Sequence, residues 1–145
     1  MTVRNILRSK PTHDILTVRP DATVSDAARL LSENRIGALI VSCDGVRLDG
    51  MLSERDIVRE LGREGAKVLE RPVSALMTAT VVTSSPDEVA VQALQKMSDG
   101  RFRHLPVMEC GDMVGVVSIG DVVKYRIDEV QRENVALTDM IVGHG

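Results

Sequence analysis

The chain has 145 residues, 43% of them hydrophobic and 27% charged, with a formal net charge of −3. That balance is globular rather than disordered. It excludes a non-specific nucleic-acid binder, which needs cationic charge to neutralise phosphates. One Phe, one Tyr and no Trp make poor base-stacking platforms and leave the core to Val, Ile, Leu, Met and Ala. The longest apolar runs, such as Ala38-Leu39-Ile40-Val41, are too short to span a membrane, and no signal pattern opens the chain. Cys43 and Cys110 form no C-x-x-C pattern, which suits free thiols in a reducing cytoplasm.

In chain order, Thr2 caps a short helix with apolar positions Val3, Ile6 and Leu7. Ile15 to Val18 reads as a strand closed by Pro20. Asp21 to Arg35 reads as a helix with Val24, Ala27, Ala28 and Leu31 on one face and Gly37 as its stop. Ala38 to Ser42 is a buried strand, Asp44-Gly45 a turn, and a second strand runs into Met51-Leu52. Ser53 to Leu61 is the closing helix, ended by Gly62 and Gly65. A charged connector, Arg63 to Arg71, stops at Pro72.

The order then recurs. Val73, Leu76 and Met77 copy the spacing of Val3, Ile6 and Leu7. Strand Val81-Val82-Thr83, helix Asp87 to Ser98, strand Leu105 to Met108, a turn at Gly111-Asp112, strand Met113 to Val117 and a helix from Ser118 follow. This last helix meets no Gly or Pro from Asp121 to Met140. Ile127, Val130, Leu137 and Ile141 fall at a/d-like spacing, with Asn134 at the missing position. That pattern fits either a short coiled-coil seam or a tail lying on its own domain.

The recurrence is a true internal repeat. The pairs Pro20-Asp21 and Pro86-Asp87 lie 66 positions apart, and the endings Gly50-x-x-Ser53-x-x-Asp56 and Gly115-x-x-Ser118-x-x-Asp121 lie 65 apart. A unit of roughly 60 residues buries little surface alone, so the two halves are expected to share one core. The organisation is one module over 1–145: a first repeat over 1–65, a second over 72–126 and a helical tail over 127–145.

Two features carry chemistry. A Ser-x-x-Asp at a helix start is ordinarily a cap. Here it occurs twice, directly after an apolar strand, and each Asp is able to accept both hydroxyls of a vicinal diol such as ribose. The second feature is Arg101-Phe102-Arg103-His104-Leu105-Pro106, cationic and interrupted by a proline that is expected to free backbone groups for a ligand. The matching Arg35-Ile36-Gly37-Ala38-Leu39-Ile40 lacks the second Arg, the His and the Pro. His13, His104 and His144 lack metal-ligand spacing. No nucleophile elbow, Walker A or dinucleotide fingerprint appears. The sequence therefore predicts neither an enzyme, a metal site nor a catalytic cofactor.

The duplicated pattern resembles a tandem CBS-domain pair, or Bateman module, of the small stand-alone kind. The resemblance rests on Pro20-Asp21 with Ala27-Ala28, on Ile36-Gly37-Ala38, on Gly50 to Asp56, on Arg103-His104-Leu105-Pro106-Val107 and on Gly115 to Asp121. It implies an α/β (α+β) fold of two β-α-β-β-α repeats packed with pseudo-twofold symmetry, with a long C-terminal helix added. It also implies a non-catalytic sensor that binds an adenosyl ligand between the repeats and signals to a partner protein. AMP is the first candidate, with ADP, ATP, NAD(H) and S-adenosylmethionine behind it. A homodimer in the cytoplasm is expected, with no nucleic acid and no membrane. The alternatives are a ligand-free interaction module and an NAD(H) sensor.

Mapped onto this chain, the resemblance implies a first site of Met51, Ser53, Arg55 and Asp56 with Thr80, Val81, Val82, Phe102, Arg103, His104 and Pro106. Asp56 is expected to hold ribose. Ser53, Arg55 and Arg103 are expected to face phosphate, with His104 beside them. A second, weaker site takes Val116, Ser118 and Asp121 with Asp14, Ile15, Leu16, Ile36, Gly37 and Ala38. There Gly120 and Gly37 stand where the first site has arginines, and Lys124, one turn on, is the candidate charge.

Overall fold

The computed structural model describes residues 1–11 and 15–143, with side chains up to residue 137. In the first repeat, α1 (Val3–Ser9), β1 (Thr17–Val18), α2 (Val24–Asn34), β2 (Ala38–Val41), β3 (Gly50–Ser53) and α3 (Glu54–Glu64) follow in order. A 3-10 turn over Ala66–Glu70 leads to α4 (Val73–Leu76), α5 (Ala90–Gly100), β4 (His104–Glu109), β5 (Asp112–Ser118) and α6 (Ile119–Gly143). The architecture is mixed α+β with a long C-terminal helix. One sheet has the order β1-β2-β3, with β1 parallel and β3 antiparallel to β2. The other is the β4-β5 hairpin.

Local chemistry sets the helix ends. Helix α2 starts later than expected, at Val24, because Thr23 and Asp26 form a reciprocal capping box. It ends not at Gly37 but at Arg35, which takes the left-handed conformation (φ 53°), and Arg101 does the same after α5 (φ 57°). Helix α5 likewise begins at Ala90 rather than Asp87. Helix α3 runs through Gly62 and stops at Gly65, whose N–H bonds to the Leu61 carbonyl. The β4-β5 turn is Cys110-Gly111, both at positive φ, so Asp112 already belongs to the strand.

The expected strand at Val81-Val82-Thr83 does not form. Only one parallel bridge remains, where Ser84 N–H donates to the Pro106 carbonyl and Met108 N–H to the Ser84 carbonyl, both at 2.9 Å. Pro106 has no N–H with which to continue the ladder one step back. Its carbonyl is taken by Ser84, so the proline shortens a strand rather than freeing that group for a ligand.

The interior is two clusters, not the single shared core expected. Val18, Val24, Ala27, Leu31, Leu39, Val41, Leu52, Ile57 and Val68 fill the first repeat, and the second repeat's α4 completes it with Val73 and Leu76. Ala90, Ala93, Met97, Leu105, Val107, Val117 and Val122 fill the second, and the first repeat's α1 completes it with Val3 and Ile6. The short helices are thus exchanged. Backbone bonds fasten each one: Val3 N–H to Glu88 O, Arg4 N–H to Pro86 O and Ala90 N–H to Met1 O on one side. Val73 N–H to Ala22 O, Ser74 N–H to Pro20 O and Val24 N–H to Arg71 O do so on the other. The glycine of each Gly-x-x-Ser-x-x-Asp lets the exchanged helix approach the strand. A Cβ on Gly50 would lie 2.8 Å from the Thr78 carbonyl, and one on Gly115 would lie 2.9 Å from Leu7 Cδ2.

The first turns of α6 pack through Val122 and Tyr125 on the second cluster. Beyond them Ile127, Val130, Val135 and Leu137 are exposed, so this stretch does not lie down on its own domain. The Ile141 side chain of the a/d-like series lies outside the described residues, as do His13, Asp14 and His144.

Ile6 is fully buried in the other repeat's cluster, whereas Asn5 beside it is exposed. Ile6→Ala should cost about 2–5 kcal/mol in urea unfolding, and Asn5→Ala should stay within about 0.5 kcal/mol. Similar small effects for both would show that α1 is not part of the second repeat's core.

Candidate functional site

Both Ser-x-x-Asp segments are capping boxes. Ser53 Oγ accepts from Asp56 N–H at 3.1 Å while Asp56 Oδ2 accepts from Ser53 N–H at 3.0 Å. Ser118 and Asp121 repeat this at 3.0 and 2.9 Å. The two aspartates differ in their cations. Asp56 Oδ1 is paired with Arg59 at 3.0 Å, one turn along α3. Asp121 Oδ2 is paired at 3.0 Å with Lys10, from the far end of the chain. The same ammonium donates to the Val116 carbonyl at 2.9 Å.

Antiparallel pairing decides which loop meets which helix start. Ile119 N–H donates to the Arg103 carbonyl at 3.0 Å, and His104 lies across from Ser118. The backbones of Arg103 and His104 are therefore joined to the Ser118 turn of their own repeat. The backbones of Gly37 and Ala38 are likewise joined to the Ser53 turn: Glu54 N–H donates to Gly37 O at 2.9 Å, and Ala38 lies across from Ser53. A hairpin necessarily sets the start of one strand against the end of the next. These bonds are internal to each hairpin, whereas the short helices are exchanged between repeats.

The remaining predicted residues lie as follows. Met51 and Thr78 exchange backbone hydrogen bonds at 3.0 and 2.9 Å, so Thr80, Val81 and Val82 form a strap between that bridge and the Ser84 bridge. Thr80 and Val82 are exposed, and Val81 is half-buried. Phe102 packs against the second cluster over Gly100, where a Cβ would lie 1.9 Å from its ring. Pro106 is buried opposite Val116. Arg55 is exposed on α3, Ile36 packs on the first cluster, and Ile15 and exposed Leu16 lead into β1.

The two ends consequently differ in charge. A Cβ on Gly37 would lie 3.6 Å from Glu54 Oε1, so a carboxylate covers that loop. At the other end Lys10 is paired with Asp121 and His104 lies within electrostatic reach of both, with exposed Arg103 next to it in the chain. Burial pushes the His104 imidazole below its ordinary pKa; Asp121 opposes this, and Lys10 and Arg103 reinforce it. Burial alone would raise the Asp121 carboxyl, but hydrogen bonds from Lys10 and Ser118 outweigh it and hold the acid below its ordinary value.

Sequence reasoning missed both counter-ions. Arg59 was legible, since i+3 is a neighbour on a helix. Lys10 had no local signal, because only the helix exchange brings it to Asp121. Lys124, one turn beyond Asp121, is exposed. Among the described residues there is no cluster of metal-ligating side chains, and no helix is long and apolar enough to cross a membrane.

The family model described as "CBS domain" matches residues 3–63 and again 73–128. The Arabidopsis thaliana CBS domain-containing protein CBSCBSPB5 is 37% identical over 117 residues, which are 81% of this chain. The chain spans only 21% of that longer protein. Among solved structures, the CBS-domain containing protein ATU1752 from Agrobacterium tumefaciens is similar with a TM-score of 0.78 and 39% identity, over 87% of this chain and 99% of that one. The CBS domain pair of protein MJ0100, solved with 5′-methylthioadenosine and S-adenosyl-L-methionine, is similar with a TM-score of 0.71 and 25% identity, over 89% of this chain and 98% of that one.

Because His104 is held below its ordinary pKa, the unfolded chain takes up that proton first. The stabilising contribution is complete above about pH 6.5 and is lost as pH falls below it. The denaturation midpoint should drop on acidification from pH 7 to 5, and His104→Gln should flatten the drop. An unchanged slope in the variant would refute the assignment.

Proposed function

The chain belongs to the CBS-domain family, as a tandem pair of its repeats, and we propose that it is a non-catalytic sensor binding an adenosyl ligand beside Ser118–Asp121. The observation that carries this reading is the meeting of one partly exposed carboxylate with Lys10 and His104 at the start of α6, Arg103 being next to His104 in the chain. A carboxylate suits a ribose diol, cationic groups and helix-start amides suit a phosphate, and the adjoining apolar residues suit a base. The adenosyl compounds bound by the MJ0100 pair support the ligand class. AMP is the first ligand to try, then ADP, ATP, NAD(H) and S-adenosylmethionine.

In this reading the Asp121 site is the stronger, whereas Arg55 and Arg103 led the sequence to favour the Asp56 site. The Asp56 end has the Glu54 carboxylate over Gly37, and Asp56 is tied on both oxygens, by Ser53 and Arg59. The exposed apolar residues of α6, Val123, Ile127 and Val130, are the proposed surface for a second copy or for the signalled partner.

A second reading is a ligand-free interaction module. It is favoured by the same capping boxes, which give both aspartates protein partners without any ligand. Calorimetry with AMP separates the two. Asp121→Asn should weaken the tighter phase about thirtyfold, the loss of about 2 kcal/mol of charge-assisted hydrogen bonding, while Asp56→Asn leaves it nearly intact. Thermal melting without ligand checks that each variant keeps its helix cap. No heat with any adenosyl compound would favour the interaction module.

A further inference from the structure

The ammonium of Lys10 lies against the partly exposed carboxylate of Asp121 and is held there from both ends. Its backbone is fixed, since α1 is anchored by Val3 and Ile6 in the second cluster and the Lys10 N–H bonds to the Leu7 carbonyl at 3.3 Å. Its side chain bridges the Val116 carbonyl and Asp121 Oδ2, using two of its three N–H donors. Oδ2 also accepts from the Ser118 N–H. One oxygen with two lone pairs is then filled. A ribose diol that takes both oxygens of Asp121 must move Lys10 aside.

We propose that Lys10 is a discriminating residue, which makes this site select adenosine 5′-phosphates over neutral or sulfonium adenosyl compounds. The inference rests on the adenosyl-binding reading above and narrows it. When a diol displaces Lys10 from Asp121, the ammonium loses its counter-charge in a site only about a quarter exposed. A neutral ligand leaves it unpaired, which is unfavourable away from bulk water. A sulfonium adds a like charge near Lys10. A 5′-phosphate gives Lys10 a new anion within a short swing of its flexible stem. The Asp56 end has no such element. Its counter-ion Arg59 sits on the same helix, 54% exposed, and its loop is covered by an acid.

The test is calorimetric titration of the full chain with AMP and with 5′-methylthioadenosine, for wild type, Lys10→Ala and Lys10→Gln. Wild type should prefer AMP by at least about tenfold, one charge-assisted hydrogen bond. Both variants should weaken AMP by about that factor and leave 5′-methylthioadenosine unchanged or tighter, so the preference collapses. Lys10→Gln keeps a donor for Val116, so it separates charge from folding, and melting curves confirm that the variants are folded. Wild type binding both ligands, with a ratio that neither variant alters, overturns the Lys10 inference alone. Equal weakening of both ligands also overturns it, because the role is then structural. Wild type binding neither adenosyl compound overturns the functional reading and this inference with it.

Discussion

Neither repeat closes its own core. The first lacks the residues that Val73 and Leu76 supply, and the second lacks those of Val3 and Ile6. A unit of this size gains little by burying its own surface, and the exchange adds fully buried side chains to each cluster together with a set of interrepeat backbone hydrogen bonds. The two glycines at the sheet edges exist for this contact, since a Cβ at either would strike the partner segment. Stability and interrepeat geometry are consequently one property. The chain cannot loosen one repeat without withdrawing a wall from the other.

The same exchange makes the two ends unequal. Helix α4 has four residues, and the chain after it bonds through the backbone of Thr78 to Met51. Helix α1 has seven residues, and the chain after it reaches the equivalent carbonyl, that of Val116, with a lysine side chain. A backbone bridge is replaced by a charge, and that charge also meets Asp121. Duplicated motifs with matching capping boxes thereby end in different electrostatic surroundings, one with Glu54 over its facing loop and one beside His104 and Lys10.

Much of this was legible. The 66- and 65-residue offsets gave the duplicated order of elements, and the apolar spacing of Val24, Ala27 and Leu31 gave a helix face that the structure buries. What failed did so for identifiable reasons. Val81 to Thr83 has strand composition, but Pro106 withholds a donor that pairing requires. Gly37 looked like a helix stop, yet Arg35 and Arg101 take the left-handed turn despite their side chains. The grouping of Arg103 with Asp56 rests on family resemblance, and the hairpin register adds only that the Arg103 carbonyl is bonded to Ile119 of its own repeat. Lys10 is separated from Asp121 by most of the chain, and no periodicity or motif points from one to the other.

In the proposed reading, the position of Asp121 also links ligand to output. Its carboxylate caps α6, whose 25 residues extend about 37 Å at the rise of an α-helix. Among the described residues, the first turns of that helix pack on the body through Ile119, Val122 and Tyr125, and exposed apolar residues follow from Ile127. In the proposed reading, the group that holds ribose is the group that fixes the first turn of the helix offered to a partner. Lys10, on the exchanged helix, pulls on the same carboxylate. A ligand that replaces Lys10 at Asp121 therefore acts at once on the seam between repeats and on the base of α6, and no longer chain of contacts is needed to connect them.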